Sequence, residues 1–142
     1  MQNSWLPNEQ LIVTRLSGKL GIEDIIEWEK DLLKTMEYIP DEMSFKILVD
    51  LSDFEAENME AHKYFRNIIP QLLADYSYRI GYLNMFPEVS IQLTKKRDIE
   101  CIAMANVHHN EEKMSDYQFR FSNQHEQYFT NTDKAMKWIL SI

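Results

Sequence analysis

The side chains of this chain best suited to chemistry are four histidines, one cysteine and a crowd of carboxylates. His108 and His109 are adjacent and are followed by Glu111 and Glu112, which together carry the donor types of a zinc or nickel site. Adjacency works against that use. Neighbouring residues point about 100 degrees apart on a helix and to opposite faces on a strand, so the pair does not easily grip one ion. A solvated polar turn fits better. His62 and His125, the latter in NQHEQ, are isolated and suit a capping or solvent-facing role. Asp50, Asp53, Glu55, Glu57 and Glu60 crowd one short stretch. Two carboxylates held beside one apolar pocket can take separated pKa values and divide acid and base roles, but no partner motif accompanies these, and an acidic loop is usually only solvated. The chain has no glycine-rich phosphate loop, nucleophile elbow, His-Glu-x-x-His pair or Ser/His/Asp set. The expectation is therefore a non-catalytic protein with no cofactor and no metal. Cys101, among Ile99, Ile102 and Ala103, reads as a buried, inert thiol.

The element that positions the acidic stretch is Ser44 to Asp53, SFKILVDLSD. An apolar, partly β-branched run ending in Asp, Ser and Asp predicts a strand buried on both faces that stops at a polar loop. Amphipathic helical patterns flank it at Ile22 to Glu37 and at Met59 to Tyr76. That alternation predicts an α/β fold with helices packed on a mostly parallel sheet. Ligands of open α/β sheets bind beyond the carboxyl ends of the strands, so the loop after this strand is the expected site.

Before it, Leu11 to Leu16 predicts a strand terminated by Ser17 and Gly18, with Trp5 and Leu6 suited to a short preceding strand. The first helix opens with Glu23 and Asp24, where carboxylates meet the positive end of the macrodipole. Its core stripe is Ile22, Ile25, Ile26, Leu32, Leu33 and Met36, with Trp28 beside it. In the second helix Asn58 suits an N-cap, and Tyr64, Phe65, Ile68, Ile69, Leu72 and Leu73 form the buried face. Pro70 removes a hydrogen bond and clashes with the carbonyl of Arg66, so a kink or restart is expected. Arg79 to Phe86 reads as a further strand with Asn84 at its exit and Pro87 opening the next segment. Glu88 to His109 reads as a helix, broken near Arg97 and Asp98. Tyr117, Phe119 and Phe121 alternate as in a strand, and Glu126 to Thr130 suggests another. Thr130 with Asp133 has the form of a capping box, before a last helix with Ala135, Trp138, Ile139 and Ile142 inward.

The 142 residues suit one domain spanning 1–142, with no repeat, no low-complexity segment and three glycines. Fifteen Lys and Arg against 23 Asp and Glu leave a net charge of −8, with no basic cluster beyond Lys95, Lys96 and Arg97. Such a balance disfavours nucleic acid and anionic membranes. One cysteine excludes an intrachain disulfide, and the amino terminus lacks the pattern of a signal peptide. No apolar run is long enough to span a membrane. A cytoplasmic protein is expected.

Gly18 before a helix carrying Glu23, Asp24 and Trp28, the run Ile47 to Asp50, and Phe129 followed by Ala135 and Trp138 give the chain a family likeness. Over nearly its whole length it resembles the SpoIIAA-like branch of the STAS superfamily (sulfate transporter and anti-sigma factor antagonist). The resemblance implies a mainly parallel sheet of four or five strands with flanking helices, and a regulatory or protein-interaction role. Typical antagonists of that family carry a phosphorylatable serine in an Asp-Ser-Ser-Gly-like turn at the start of the second helix. Here Glu57, Asn58 and Met59 stand at the matching place, so the serine is missing. Ser52 lies earlier, and a phosphate there would be repelled by Asp50, Asp53 and Glu55.

Two functions fit these residues. The first is an interaction module whose partner surface comprises Asp50, Ser52, Asp53, Glu57, Asn58 and Asn84, with Tyr64, Tyr76 and Tyr78 as aromatic anchors. The partner on this reading is an unknown protein. The alternative is a carrier or sensor of a small apolar, lipid-like ligand, lined by Met43, Met59, Met85, Met104, Phe54 and Phe86. Phe119, Phe121, Tyr128 and Phe129 predict an aromatic sheet edge covered by a second copy, as in a symmetric homodimer.

Overall fold

A computed structural model describes residues 2–86 and 89–142. Five strands, β1 (Gln2–Leu6), β2 (Leu11–Leu20), β3 (Ser44–Ala56), β4 (Glu100–His108) and β5 (Glu126–Phe129), lie in sequential order in one sheet. Only β1 runs antiparallel to its neighbour; the pairs β2–β3, β3–β4 and β4–β5 are parallel. The connecting helices are α1 (Ile22–Met36) between β2 and β3, α2 (Met59–Phe65) and α3 (Ile68–Ala74) between β3 and β4, and α4 (Glu111–Phe121) between β4 and β5. α5 (Thr132–Leu140) closes the chain.

Sequential parallel strands joined by right-handed crossovers put every connecting helix on one face. The core obeys this rule. Ile12, Leu16, Phe45, Ile47 and Val49 pack with Ile25, Trp28, Leu32, Met36, Leu72 and Leu73 on the crossover face. The other face is covered by α5, through Ala135 and Ile139 on Leu11, Leu48, Ala103, Ala105 and Val107. Alanines at positions 103 and 105 let that short helix approach the sheet closely.

β3 is the middle strand, and all residues from Phe45 to Leu51 are buried. It runs three residues beyond its expected end, through Phe54 to Ala56, and gains an extra residue against β2 where Arg15 pairs with Asp50 but Ser17 with Asp53. The bulge returns Phe54 to the crossover face. β2 also continues past Ser17 and Gly18, with Gly18 at φ 85, a backbone that favours glycine. In α1 the buried stripe is Ile25, Trp28, Leu32, Thr35 and Met36; Trp28 lies within it, its indole N–H donating to Thr14 Oγ1 at 2.8 Å, whereas Leu33 faces outward.

The second helical pattern breaks as expected. α2 ends at Phe65 and α3 restarts at Ile68, which puts Pro70 in a first turn where its missing N–H costs nothing. Asn58 caps α2, accepting from Ala61 N at 2.9 Å.

Four expectations are corrected. Arg79 to Phe86 is no strand: it holds a 3₁₀ helix at Gly81–Met85, and β3 pairs directly with β4, which leaves no slot between them. The stretch read as a helix from Glu88 to His109 carries β4; Pro87 and Glu88 themselves lie outside the described residues. Tyr117, Phe119 and Phe121 sit on α4, where Met114, Tyr117 and Phe121 share one face and Phe119 is 90% exposed on the other. The last helix is capped by Asn131, which accepts from Lys134 N at 3.0 Å, not by a box starting at Thr130. Ala135 and Ile139 are buried beneath it, and Ile142 is exposed.

Candidate functional site

β4 ends at His108, paired with Leu51 of the longer β3, and there the crossover face opens into a cavity of about 280 Å³. Its floor is Val49 and Leu51 of β3 with Asn106 and His108 of β4. These are alternate residues, so each pair faces the same side of the sheet. α2 contributes His62 and Phe65, α4 contributes Lys113, Met114 and Tyr117, and the 3₁₀ helix closes the far side with Tyr82 and Leu83. Arg66 and Asn67, in the break between α2 and α3, line it as well. Most of this lining is apolar or aromatic, with a few polar groups aimed inward, which is the usual make-up of a small-molecule site.

Asn106 is nine-tenths buried, and its Oδ1 has no hydrogen-bond partner among the described residues. Other buried polar side chains are engaged. Thr14 accepts from Trp28, Thr35 donates to Asp31 O at 2.8 Å, and Lys46 Nζ donates to Ile142 O at 3.2 Å. Beside Asn106, His108 Nδ1 accepts from Asn110 N at 3.0 Å, which places the hydrogen of the neutral ring on Nε2. Burial holds the His108 pKa down to about 4, with Lys113 and His109 adding to the effect, so the ring is neutral at physiological pH. Lys113 passes over the Tyr117 ring at 5.5 Å, and burial of its ammonium lowers that pKa too.

The wall is held by a buried carboxylate that no motif in the sequence marks out. Glu126, 1% exposed at the start of β5, accepts from Tyr78 Oη at 2.9 Å, from Gly81 N at 3.0 Å and from the Tyr128 hydroxyl. Burial and the Glu126 charge push the Tyr78 and Tyr128 hydroxyls far above the usual phenol range. Gly81 sits close there: a Cβ would meet Glu126 Oε2 at 3.0 Å and the Phe121 carbonyl at 3.1 Å, so a side chain would have to push the wall outward by a few tenths of an ångström. The link ties Gly81–Met85, and with it Tyr82 and Leu83, to the sheet.

The six residues expected to form one surface are dispersed. Asp50 and Ser52 point to the α5 face, away from the cavity. Asp50 is 2% exposed and saturated: Arg15 Nε donates at 2.8 Å, Ser52 Oγ at 2.7 Å, Ser52 N at 3.0 Å and Thr132 Oγ1 at 3.3 Å. Burial raises its pKa, but the hydrogen bonds from Ser52 and Arg15 outweigh burial and hold it below the ordinary carboxylate value. Asp53 is exposed within β3, not in a loop, and Glu57 packs against Gly21 at the start of α1. Asn58 borders a shallower depression with Phe54, Met59 and His109, which shares His62, His108 and Lys113 with the cavity. Asn84 is exposed on the 3₁₀ helix and accepts from Arg79 at 3.5 Å.

Of the residues expected to line a ligand cavity, Phe86 does so, while Met104 is core and Met59 is 64% exposed. Tyr76 is core, and the Tyr64 and Tyr78 hydroxyls are committed to Glu29 and Glu126, so none of the three is a free anchor. Phe121 and Tyr128 pack edge-on against Tyr117, and Phe129 packs on Trp138, so most of the aromatic set expected to meet a second copy is used within the chain. The His108 and His109 rings lie 4.3 Å apart, and no group of three or more His, Cys, Asp or Glu among the described residues is placed to hold a metal. No helix among them is long and apolar enough to cross a membrane. Set against protein-family models, curated proteins and solved structures, the chain has no significant match in any of the three comparisons.

Proposed function

We propose that this chain is a small-molecule-binding domain, a sensor or carrier whose site is the cavity at the carboxyl end of β4. One observation carries the reading: a largely apolar and aromatic cavity contains a nine-tenths buried amide whose oxygen has no partner among the described residues. Buried polar groups in folded proteins are almost always satisfied, so an acceptor left open on a cavity is a point at which a bound molecule with a donor gains a hydrogen bond. The ligand on this reading is amphipathic, not purely apolar. The mainly parallel five-stranded sheet is the kind that the STAS resemblance implies and supports assignment to that superfamily. The single cysteine, buried with its thiol pKa raised by burial, suits a reducing cytoplasm.

The test is a fragment set read out by amide chemical shifts. Ligands should move the amides of Val49, Leu51, Asn106, His108 and Met114. Asn67→Trp should abolish these shifts, because Asn67 lines the cavity, is exposed, and caps α3 with no side-chain bond. Fragments that bind only elsewhere, or that ignore the tryptophan, would overturn the assignment.

A second reading, a protein-interaction module, draws on Met59, which is 64% exposed in the first turn of α2 between the exposed Glu57, Asn58 and Glu60. It expects partner capture to be lost on charge reversal at Glu57 and Glu60. Unchanged capture would discard that surface.

A further inference from the structure

The cavity carries the opposite charge to the chain. The chain's net charge is −8, yet no carboxylate among the described residues lines the cavity, whereas Arg66 and Lys113 both do. Neither cation is ion-paired to a described carboxylate, so both charges are open to a ligand in the cavity. In a protein with 23 acidic residues, a cavity lined by two cations and by no described carboxylate favours an anion.

The remaining polar groups narrow the head group. His108 presents its Nε2–H as a neutral donor, since Nδ1 is taken by Asn110 N. Asn106 offers both an N–H donor and the orphaned Oδ1 acceptor. An anion accepts from Lys113, Arg66, His108 and the Asn106 amide, but it cannot satisfy Oδ1, which needs a donor on the ligand. The body is set by the walls, where Phe65, Tyr82, Phe86 and Tyr117 bring four rings to one space and Tyr82 and Tyr117 lie 5.8 Å apart.

We propose that the cavity takes a small aromatic monocarboxylate bearing a hydroxyl or N–H donor beside the carboxylate, with Lys113 and Arg66 holding the head and Asn106 reading the donor. This rests on the small-molecule reading above. A dianionic phosphate is a poorer match. His108 adds no charge at neutral pH to help Arg66 and Lys113 balance a second negative charge. Most of the wall would also face the wrong chemistry.

The probes are mandelate, which has both groups, phenylacetate, which lacks the hydroxyl, and 1-phenyl-1,2-ethanediol, which keeps the hydroxyl and replaces the carboxylate by a neutral alcohol. Titration calorimetry and amide shifts on the full chain should show mandelate binding in the cavity, with the diol about tenfold weaker or worse. Lys113→Gln and Arg66→Gln, both at exposed positions, should each weaken mandelate and leave the diol unchanged. Asn106→Leu should weaken mandelate more than phenylacetate; since that site is buried, the phenylacetate comparison within the parent protein serves as its check. A diol that binds as tightly as mandelate overturns the carboxylate. Phenylacetate equal to mandelate overturns the donor. If none of the three binds while the fragment set fills the cavity, this proposal falls and the small-molecule reading stands; if the fragment set also finds nothing, both fall.

Discussion

Replacing Glu126 by leucine tests whether the cavity wall is held as described. Leucine nearly conserves volume and removes a buried charge, so a tally of hydrophobic contacts alone expects a neutral or stabilising change. The hydrogen bonds expect the reverse. The Tyr78 hydroxyl, the Gly81 N–H and the Tyr128 hydroxyl all point at this carboxylate, and the substitution leaves the last two without an acceptor and Tyr78 with only the long contact to His125 O at 3.4 Å. Each buried orphan costs about 1–3 kcal/mol, partly recovered where water reaches the Tyr78 side, so a net loss of about 3–5 kcal/mol is expected. At a urea m-value of about 2 kcal/mol per molar, the unfolding midpoint should fall by roughly 1.5–2.5 M. Glu126→Gln keeps one acceptor and should lose about half as much. Adding Tyr128→Phe to the leucine variant removes one orphan and should return about 1 kcal/mol, a coupling that packing loss alone would not produce. Amide exchange at Gly81 to Met85 should quicken in the same order. A leucine variant within about 1 kcal/mol of the parent would refute the account of this network.

Three titrations test the same geometry. His108 stays neutral in the fold down to about 4, while the unfolded chain takes up its proton near 6.5. Its contribution is full above pH 6.5 and drains as the pH falls towards 4; carbon shifts of the ring should show a single late titration, and His108→Gln should flatten the slope of urea midpoints across that window. Asp50 behaves as a depressed carboxylate, so its contribution is full above its ordinary 3.8 and is lost as the pH falls below that value. Asp50→Asn should therefore lower the midpoint more at pH 6 than at pH 3. Tyr78 and Tyr128 are raised above the ordinary 10, so they stabilise the fold below pH 10 and that contribution drains as the pH rises past it. Phenolate absorbance from these two rings should appear only with unfolding, and early ionisation of all seven tyrosines would contradict their burial.

What was legible in the sequence was what two-sided burial and capping write into residue types. Phe45 to Val49 reads as a central strand because no polar residue but Lys46 interrupts it, and Asn58 and Pro70 announce a cap and a restart that the structure shows. The misread segments share a cause. β4 carries Ala103, Met104, Ala105 and Asn106, which favour helices or turns by local preference; the alanines are there because α5 needs room above them, a tertiary demand that no local window contains. In α4 the alternation of Tyr117, Phe119 and Phe121 imitates a strand, yet Met114, Tyr117 and Phe121 keep the helical period behind an Asn110 cap. Reading Asn110, Glu111 and Glu112 as a helix start instead of as ligands beside His109 would have found it.

The candidate site was misplaced for a related reason, and the misplacement separates two kinds of buried polar group. Asp50 draws attention because an acid ends an apolar run, but it lies under α5 with four donors around it, and such a group has no capacity left for a ligand. Glu126 draws none, yet its three donors pin the segment that closes the cavity. Asn106 also draws none, since one amide in an alanine-rich run looks like an accident of composition. Its meaning comes only from what surrounds it: a residue on β4 facing the crossover side, beyond which α2 stops early at Phe65 and the helix restarts at Ile68. That break leaves the sheet uncovered at its carboxyl edge. The break itself is a consequence of Pro70, which cannot continue the α2 hydrogen-bond ladder. The proline thus connects a local backbone rule to the opening of the cavity, and the unsatisfied amide beneath it is where ligand specificity would be read.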